Sequence, residues 1–462
     1  MYAHRTRRPE RRCGVCSQSI TFAPDYLPDH MFLYSFFRPF AKYAIATYYR
    51  KIYLTGTEHI PTSQPMILAS NHPTAFTEPA GIACWQNKRE LYFLVRGDFF
   101  GTKFTNWALR SFNMLPIFRA QDGTFEQRKT NIETFNQTYR DLAQGKAVMV
   151  LVEGRTKMAK RLGKIQKGAA RMAFGTIDRQ PDADILIVPT GVNYSNGTEF
   201  RSIVMIECGA PIRVRDYYEL YQENGSRAVK ELCDEMGRRM AERMVIVERE
   251  EDDWLANTLM DLSRHELEER MLPLMLPDDR WLRNDQQIAR GVNEMSSGER
   301  KSLTTDLRAY LQKLKDLDVT DFGLLRPENA TFGRLLIVVL GFLPALVGLV
   351  FNFLPIYVTY WIGKNKIKAK EFKASIWTAG PIGTLLIWYI LFGVLFMVLF
   401  GWWQGLLVAL GFLALGAWAV QYYDYARFYQ MAARAKRLST EQREALIREH
   451  RELVSRTSPG YA

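Results

Sequence analysis

The sequence predicts an α/β fold, a mostly parallel sheet flanked by helices, followed by a helical region and C-terminal membrane hairpins. Three observations predict it. Short apolar runs alternate with helical stretches between residues 65 and 208, the rhythm of strands laid down between crossover helices. The pattern then turns to helical stripes as far as residue 319. Between Leu335 and Val420 charge nearly vanishes outside one short basic loop, which is the composition of chain that lives in lipid. A chain of 462 residues is too long for one ordinary core. A hydrophobic share of 47% with 13% aromatic residues excludes an intrinsically disordered protein.

In chain order, residues 1–30 read as a disordered basic tail, with Arg5, Arg7, Arg8, Arg11 and Arg12 and no uninterrupted apolar run. Cys13 and Cys16 form a lone CGVC with no second pair, so no metal site is expected there. Five cysteines in all argue against a disulfide framework and for a reducing compartment. Residues 31–52 predict an interfacial membrane helix, because Met31 to Tyr49 is rich in aromatics and carries only Arg38 and Lys42 as charges. Strands are expected over Met66 to Ser70, Leu91 to Val95, Met114 to Phe118, Ala147 to Val152, Ile185 to Thr190 and Ile203 to Cys208. Helices are expected between them over Pro79 to Gln86, Thr102 to Phe112, Thr124 to Gln144 and Gly168 to Thr176. In such a sheet, ligand sites belong at strand ends.

Residues 223–330 predict a helical region without chemistry of its own. Val229, Leu232, Cys233, Met236 and Met240 make one apolar stripe, and Leu303, Leu307, Leu311, Leu314 and Leu317 another, behind a Ser296/Glu299 capping box. Residues 331–425 predict membrane segments. Ile382 to Phe400 and Leu406 to Val420 read as a transmembrane hairpin turning at Gly401 to Gly405. The earlier run, Leu335 to Ile362, has Arg334 on one flank and Lys364, Lys366, Lys368, Lys370 and Lys373 on the other. Both flanks then prefer the cytoplasm, so a re-entrant pair broken near Asn352 and Pro355 is expected. Residues 426–462, opening with Arg427, Arg434, Lys436 and Arg437, read as a cytoplasmic helical tail. The expectation is an integral membrane protein whose soluble part faces the cytoplasm.

Of six histidines only His72 has company. It follows the strand MILAS in SNHPTAFTEP, with Glu78 after five intervening residues, so a turn can bring imidazole and carboxylate together. A second strand end carries Arg119, and a third carries Glu153, Gly154, Arg155 and Thr156. From Lys146 to Arg171 eight cations face Glu153 alone. A one-signed window that closes two strand ends suits phosphate binding better than a solvated face, where signs mix. Nucleic acid is not the expected partner. The sequence has no GxSxG for a serine hydrolase, no HExxH for a zinc peptidase, and neither GxxxxGK[ST] nor GxGxxG for a nucleotide.

The ordered blocks NHPTAFTEP, LPIFR, LVEGRTK and IVPTGVNY, spread over Tyr53 to Ile212, resemble the glycerolphosphate and lysophosphatidate (1-acyl-glycerol-3-phosphate) acyltransferase family. The resemblance implies an acyltransferase domain over residues 53–222, with His72 and Glu78 as the catalytic dyad. It implies Arg119, Glu153, Gly154, Arg155 and Thr156 at the substrate phosphate, and Pro189 shaping the acyl-donor pocket. Lys164 and Lys167 are expected to help with donor phosphates. The chain departs from the family in having Glu78 where Asp is usual, and Val152 before Glu153 where many members have Pro. The implied reaction moves a fatty acyl group from an acyl thioester, acyl-CoA or acyl-carrier protein, to the hydroxyl of glycerol-3-phosphate or lysophosphatidate. Membrane lipids are the expected partners, and no cofactor or metal is expected. Two readings share these residues: transfer to another lysolipid, and a catalytically inactive lipid-binding membrane protein on the same scaffold.

Overall fold

The computed structural model describes residues 31–86, 88–118, 125–267 and 274–457. The basic tail with its CGVC pair, and Arg119, lie outside them. The chain opens with α1 (Met31–Tyr48), then β1 (Lys51–Thr55), β2 (Met66–Ser70), α2 (Thr77–Trp85), β3 (Leu91–Arg96), α3 (Lys103–Ser111), β4 (Met114–Ile117), α4 (Phe125–Ala143) and β5 (Ala147–Leu151). It continues through α5 (Gly168–Arg179), β6 (Leu186–Tyr194), β7 (Ile203–Cys208), the short β8 (Ile212–Arg213), α6 (Tyr218–Glu223) and α7 (Gly225–Ala241).

Among the described residues the strands form one sheet in the order β4-β3-β5-β2-β6-β7-β1, with β8 on β6. The five strands from β4 to β6 run parallel, as their helical crossovers require. β6 then turns back into β7 as an antiparallel partner, and β1 pairs parallel to β7. The sheet is therefore mixed at one side. β1 is a strand that the alternation did not predict, and β6 runs to Tyr194, beyond the expected Thr190. Both differences have one cause: Val192 to Tyr194 and the whole of β1 pair with β7, a long-range partner invisible to local periodicity.

Alternate side chains feed two cores, as the pleat dictates. Met66 and Leu68 of β2 join Tyr49, Ile82, Trp85 and Phe93 on one face. Ile67 and Ala69 join Leu142, Phe174 and Leu232 on the other. The helix α1 does two jobs at once. Tyr34, Ile45 and Tyr48 are buried on the first core, while Phe36, Phe40 and Tyr43 are exposed.

Next come α8 (Asp253–Arg264), β9 (Met275–Leu276) on the edge of β1, α9 (Arg280–Glu294), α10 (Ser297–Asp316) and α11 (Asp321–Leu325). The expected capping box at Ser296 and Glu299 is formed. The chain's last helix, α15 (Thr440–Ser455), returns to this block and inserts Leu446, Leu453 and Val454 into its core. There His450, 1% exposed, sits with Nδ1 2.8 Å from Asp321 Oδ1 and Nε2 3.1 Å from Glu266 Oε1. His265 Nδ1 lies 2.8 Å from the other Asp321 oxygen, and the Tyr310 hydroxyl donates to Asp321 at 2.5 Å.

Burial alone would lower the His450 pKa; the bonds to Asp321 and Glu266 outweigh it and raise it to about 9. Burial likewise pushes Asp321 up, but bonds from His265 and His450 hold its carboxyl well below the usual range. A folded value above the unfolded one of about 6.5 means that His450 contributes fully below that pH and is lost as pH rises through 9. The shift corresponds to about 3 kcal/mol. The melting temperature in detergent is expected to fall between pH 6.5 and 9.5, and His450→Asn to flatten that fall. An unchanged slope in the variant would remove His450 as its source.

Three further helices, α12 (Phe332–Asn365), α13 (Lys370–Phe400) and α14 (Trp402–Ala435), are long and apolar enough to cross a membrane. The expected break near Asn352 and Pro355 is absent: α12 is one continuous helix with Pro344 and Pro355 inside it. Neighbouring helices add polar ties to this stretch. Thr384 donates to the Pro355 carbonyl at 2.9 Å, and Asn352 accepts from the Tyr389 hydroxyl at 2.9 Å while donating to Gly348 O. Asn352 is a tie between helices where a break was expected.

Both ends of α12 are bonded to a neighbouring helix. At its start, Lys436 donates to Ala330 O just ahead of the helix. At its end, Tyr360 O accepts from Trp377 Nε1, and Trp377 packs on the sheet's first core. The α13–α14 turn at Gly401, with φ 92°, lies about 46 Å of helix from Lys370.

Candidate active site

β2 delivers its C-terminal end to the centre of the sheet, and the residues that follow it are fixed one by one. Asn71 is buried and its amide forms a two-way clamp on β6, donating to Val192 O and accepting from Val192 N, each at 2.8 Å. His72 is next. Its N–H donates to Glu153 Oε2 at 3.0 Å and its carbonyl accepts from Lys157 N at 3.1 Å. The loop after β5 therefore grips His72 from both sides.

After a four-residue turn, α2 begins at Thr77 and places Glu78, 1% exposed, in its first turn. Glu78 Oε1 accepts from Thr74 N and, at 3.5 Å, from the Tyr194 hydroxyl. Its other oxygen lies 3.7 Å from His72 Nδ1. Neither of those two buried atoms has a hydrogen-bond partner. The sequence pair therefore meets, at ion-pair distance and slightly beyond a hydrogen bond. Burial, then the Glu78 charge, raise the Tyr194 pKa well above its ordinary value, so that hydroxyl stays a donor.

The family's third block is sorted by the geometry into two kinds of residue. Glu153 is buried and its oxygens take the N–H groups of His72 and, at 2.5 Å, Gly163. A carboxylate so engaged helps to position His72. Gly154, with φ 63°, turns the chain sharply after β5, a conformation that favours glycine. Arg155 projects outward, exposed, and Thr156 is half-buried beside it.

The basic window divides in the same way. Lys146 pairs with Asp141 at 2.8 Å and Arg161 with Asp253 at 2.6 Å. Lys160 donates to Tyr194 O at 2.7 Å, and burial lowers its pKa to about 8. Arg155, Lys157, Lys164 and Lys167 remain exposed, with no carboxylate at ion-pair distance among the described residues. Pro189 is buried in mid-strand opposite Ala69.

One partner of the site was not legible in the motifs. The turn between His72 and Glu78 hangs from the first turns of α13: Ala75 N donates to Glu371 O at 3.3 Å, and Phe76 N to Ser375 Oγ at 2.9 Å. The Phe76 ring also contacts Phe99 and Phe372. Nothing in the spacing of residues 72–78 could point to a partner three hundred positions away.

Residues 51–193 match the Acyltransferase family model. The chain is 27% identical over 198 residues, 40% of its own length, to glycerol-3-phosphate O-acyltransferase 1 of Saccharomyces cerevisiae, covering 24% of that protein. It is 30% identical over 109 residues to glycerol-3-phosphate O-acyltransferase 2 of the same yeast, covering 23% of this chain and 15% of that protein. The chain thus spans a quarter or less of the length of these relatives. A 1-acyl-sn-glycerophosphate acyltransferase from Thermotoga maritima aligns with 45% of this chain and 83% of its own at 15% identity and a TM-score of 0.31. His72, Glu78 and Glu153 all lie inside the segment that matches the Acyltransferase family model.

Proposed function

We propose that the chain is a membrane-bound O-acyltransferase that moves a fatty acyl group from an acyl thioester to the hydroxyl of glycerol-3-phosphate or a lysophosphatidate. One observation carries the reading: His72 Nδ1 and Glu78 Oε2, each without another partner, face one another at a strand end. In this reading His72 takes the proton from the acceptor hydroxyl as that oxygen attacks the thioester carbonyl. Glu78 stabilises the imidazolium that forms. Collapse of the tetrahedral intermediate forms the ester and expels the thiolate, which recovers the proton from His72. Arg155 holds the acceptor phosphate, and Lys164 and Lys167 attract phosphates of the donor. The attachment of the catalytic turn to α13 keeps the chemistry beside the lipid that receives the product. With Lys364, Lys366, Lys368 and Lys370 on the domain's side of the helices, that side is the cytoplasmic one.

The test is a panel of acceptor alcohols offered to the purified full chain with one labelled acyl-CoA, scored by mass spectrometry of the lipid product. Glycerol-3-phosphate or lysophosphatidate should be acylated and acceptors lacking the phosphate should not. Equal use of phosphate-free acceptors would remove Arg155 from its role, and release of free fatty acid in place of ester would make the protein a hydrolase.

A further inference from the structure

A second recess opens on the same edge of the sheet, beyond Tyr194, where Ser195 and Asn196 help to line it. It encloses about 560 Å³ between the starts of β1 and β7, the end of α8 and the domain ends of α12 and α14. Arg50, Arg201, Arg264, Arg326, Arg334 and Arg427 all line it. Among the described residues, three of these guanidiniums have a carboxylate at ion-pair distance. Arg201 pairs with Asp424 at 2.6 Å with both side chains 2% exposed, and Arg264 pairs with Asp285 and Asp261. Arg326 donates to the carbonyls of His265 and Glu266, with Glu328 3.7 Å away.

Arg334 and Arg427 differ. Arg334 donates to the Asn329 side-chain oxygen and Arg427 to no described residue; neither has a carboxylate at ion-pair distance among the described residues. They come from different helices, α12 and α14, and share one concave wall. Uncompensated cations in a recess concentrate field toward an anion, and guanidinium forks match the oxygens of a phosphate. The surroundings identify what carries that phosphate. Phe200, which lines the recess, and Tyr423, with rings 6.1 Å apart, are exposed, as is Phe332 at the start of α12, and α12 and α14 carry many exposed apolar side chains. Aromatic side chains at the foot of apolar helices mark the headgroup level of a bilayer.

We propose that this recess binds the phosphate of an anionic membrane phospholipid between Arg334 and Arg427, with the acyl chains along α12 and α14, at a site separate from His72. The proposal does not depend on the acyltransferase reading. Native mass spectrometry of the full chain in neutral detergent, with equal amounts of phosphatidylglycerol and phosphatidylcholine, tests it. One retained phosphatidylglycerol is expected, with a preference of roughly tenfold or more. Arg427→Glu, at an exposed position that tolerates exchange, and the Arg334→Ala/Arg427→Ala double variant should both lose the preference. His72→Ala should keep it. Undiminished preference in both arginine variants would overturn the site, and loss in His72→Ala would overturn its separateness. Displacement of the lipid by millimolar inorganic phosphate would show that the recess takes a free phosphate, and would overturn the lipid assignment.

Discussion

Acyl transfer falls by about two to four orders of magnitude when His72 is replaced by alanine, the range that a positioned general base contributes. The fall belongs to the rate of the chemical step. His72 is tied into the structure by its backbone, through Glu153 and Lys157, so truncating the ring leaves those bonds in place. The variant should therefore unfold at the same temperature as the parent and bind acceptor comparably. Glu78→Gln separates orientation from charge, since it preserves shape but cannot stabilise an imidazolium; it should retain more activity than His72→Ala and less than the parent. Glu78→Asp draws the carboxylate back from a ring nitrogen that is already 3.7 Å away. Single-turnover measurement with a labelled acyl thioester reads all three. Transfer at the parental rate in His72→Ala would end the dyad reading outright.

The second large effect is on stability. Asp424→Ala should destabilise the protein by about 3–5 kcal/mol, because it strands the buried Arg201 guanidinium without its countercharge. Arg201 Nε and Nη2 both donate to Asp424 Oδ2, at 2.9 and 2.6 Å, while Nη1 serves the carbonyls of Thr47 and Tyr49. One side chain therefore joins α14 to the end of α1 and the start of β7. Thermal unfolding in detergent should show the loss. The Arg201→Met/Asp424→Leu pair, which removes both charges together, should recover much of it. A single variant as stable as the parent would mean that the pair is solvated.

The motif residues were legible in the sequence because each sits where a strand stops, and strand ends follow from apolar runs read locally. His72 and Glu78 fall on consecutive elements, so their meeting needs only one turn. What Glu153 holds was not legible locally: only the fold reveals two backbone N–H groups, of His72 and Gly163, aimed at its carboxylate. The Asn71 clamp depends on β6, and β1 depends on β7, so neither could be seen before pairing was known. The arginine recess is harder still, being assembled from positions 50, 201, 326, 334 and 427 on separate elements. Charge balance counted along a window cannot detect cations gathered from so far apart. The membrane helices show the reverse case. α12 runs unbroken through Asn352 and Pro355, where local residue types suggested a break, and Asn352 is instead bonded to Tyr389 on the neighbouring helix.

The suspension of Ala75 and Phe76 from α13 has a mechanical consequence. A helix hairpin adjusts its tilt to the thickness of the surrounding hydrocarbon, and the loop between His72 and Glu78 must follow the helix from which it hangs. Thin and thick bilayers are therefore expected to set different spacings across the 3.7 Å gap between imidazole and carboxylate, and the rate of acyl transfer should vary with the chain length of the surrounding lipid.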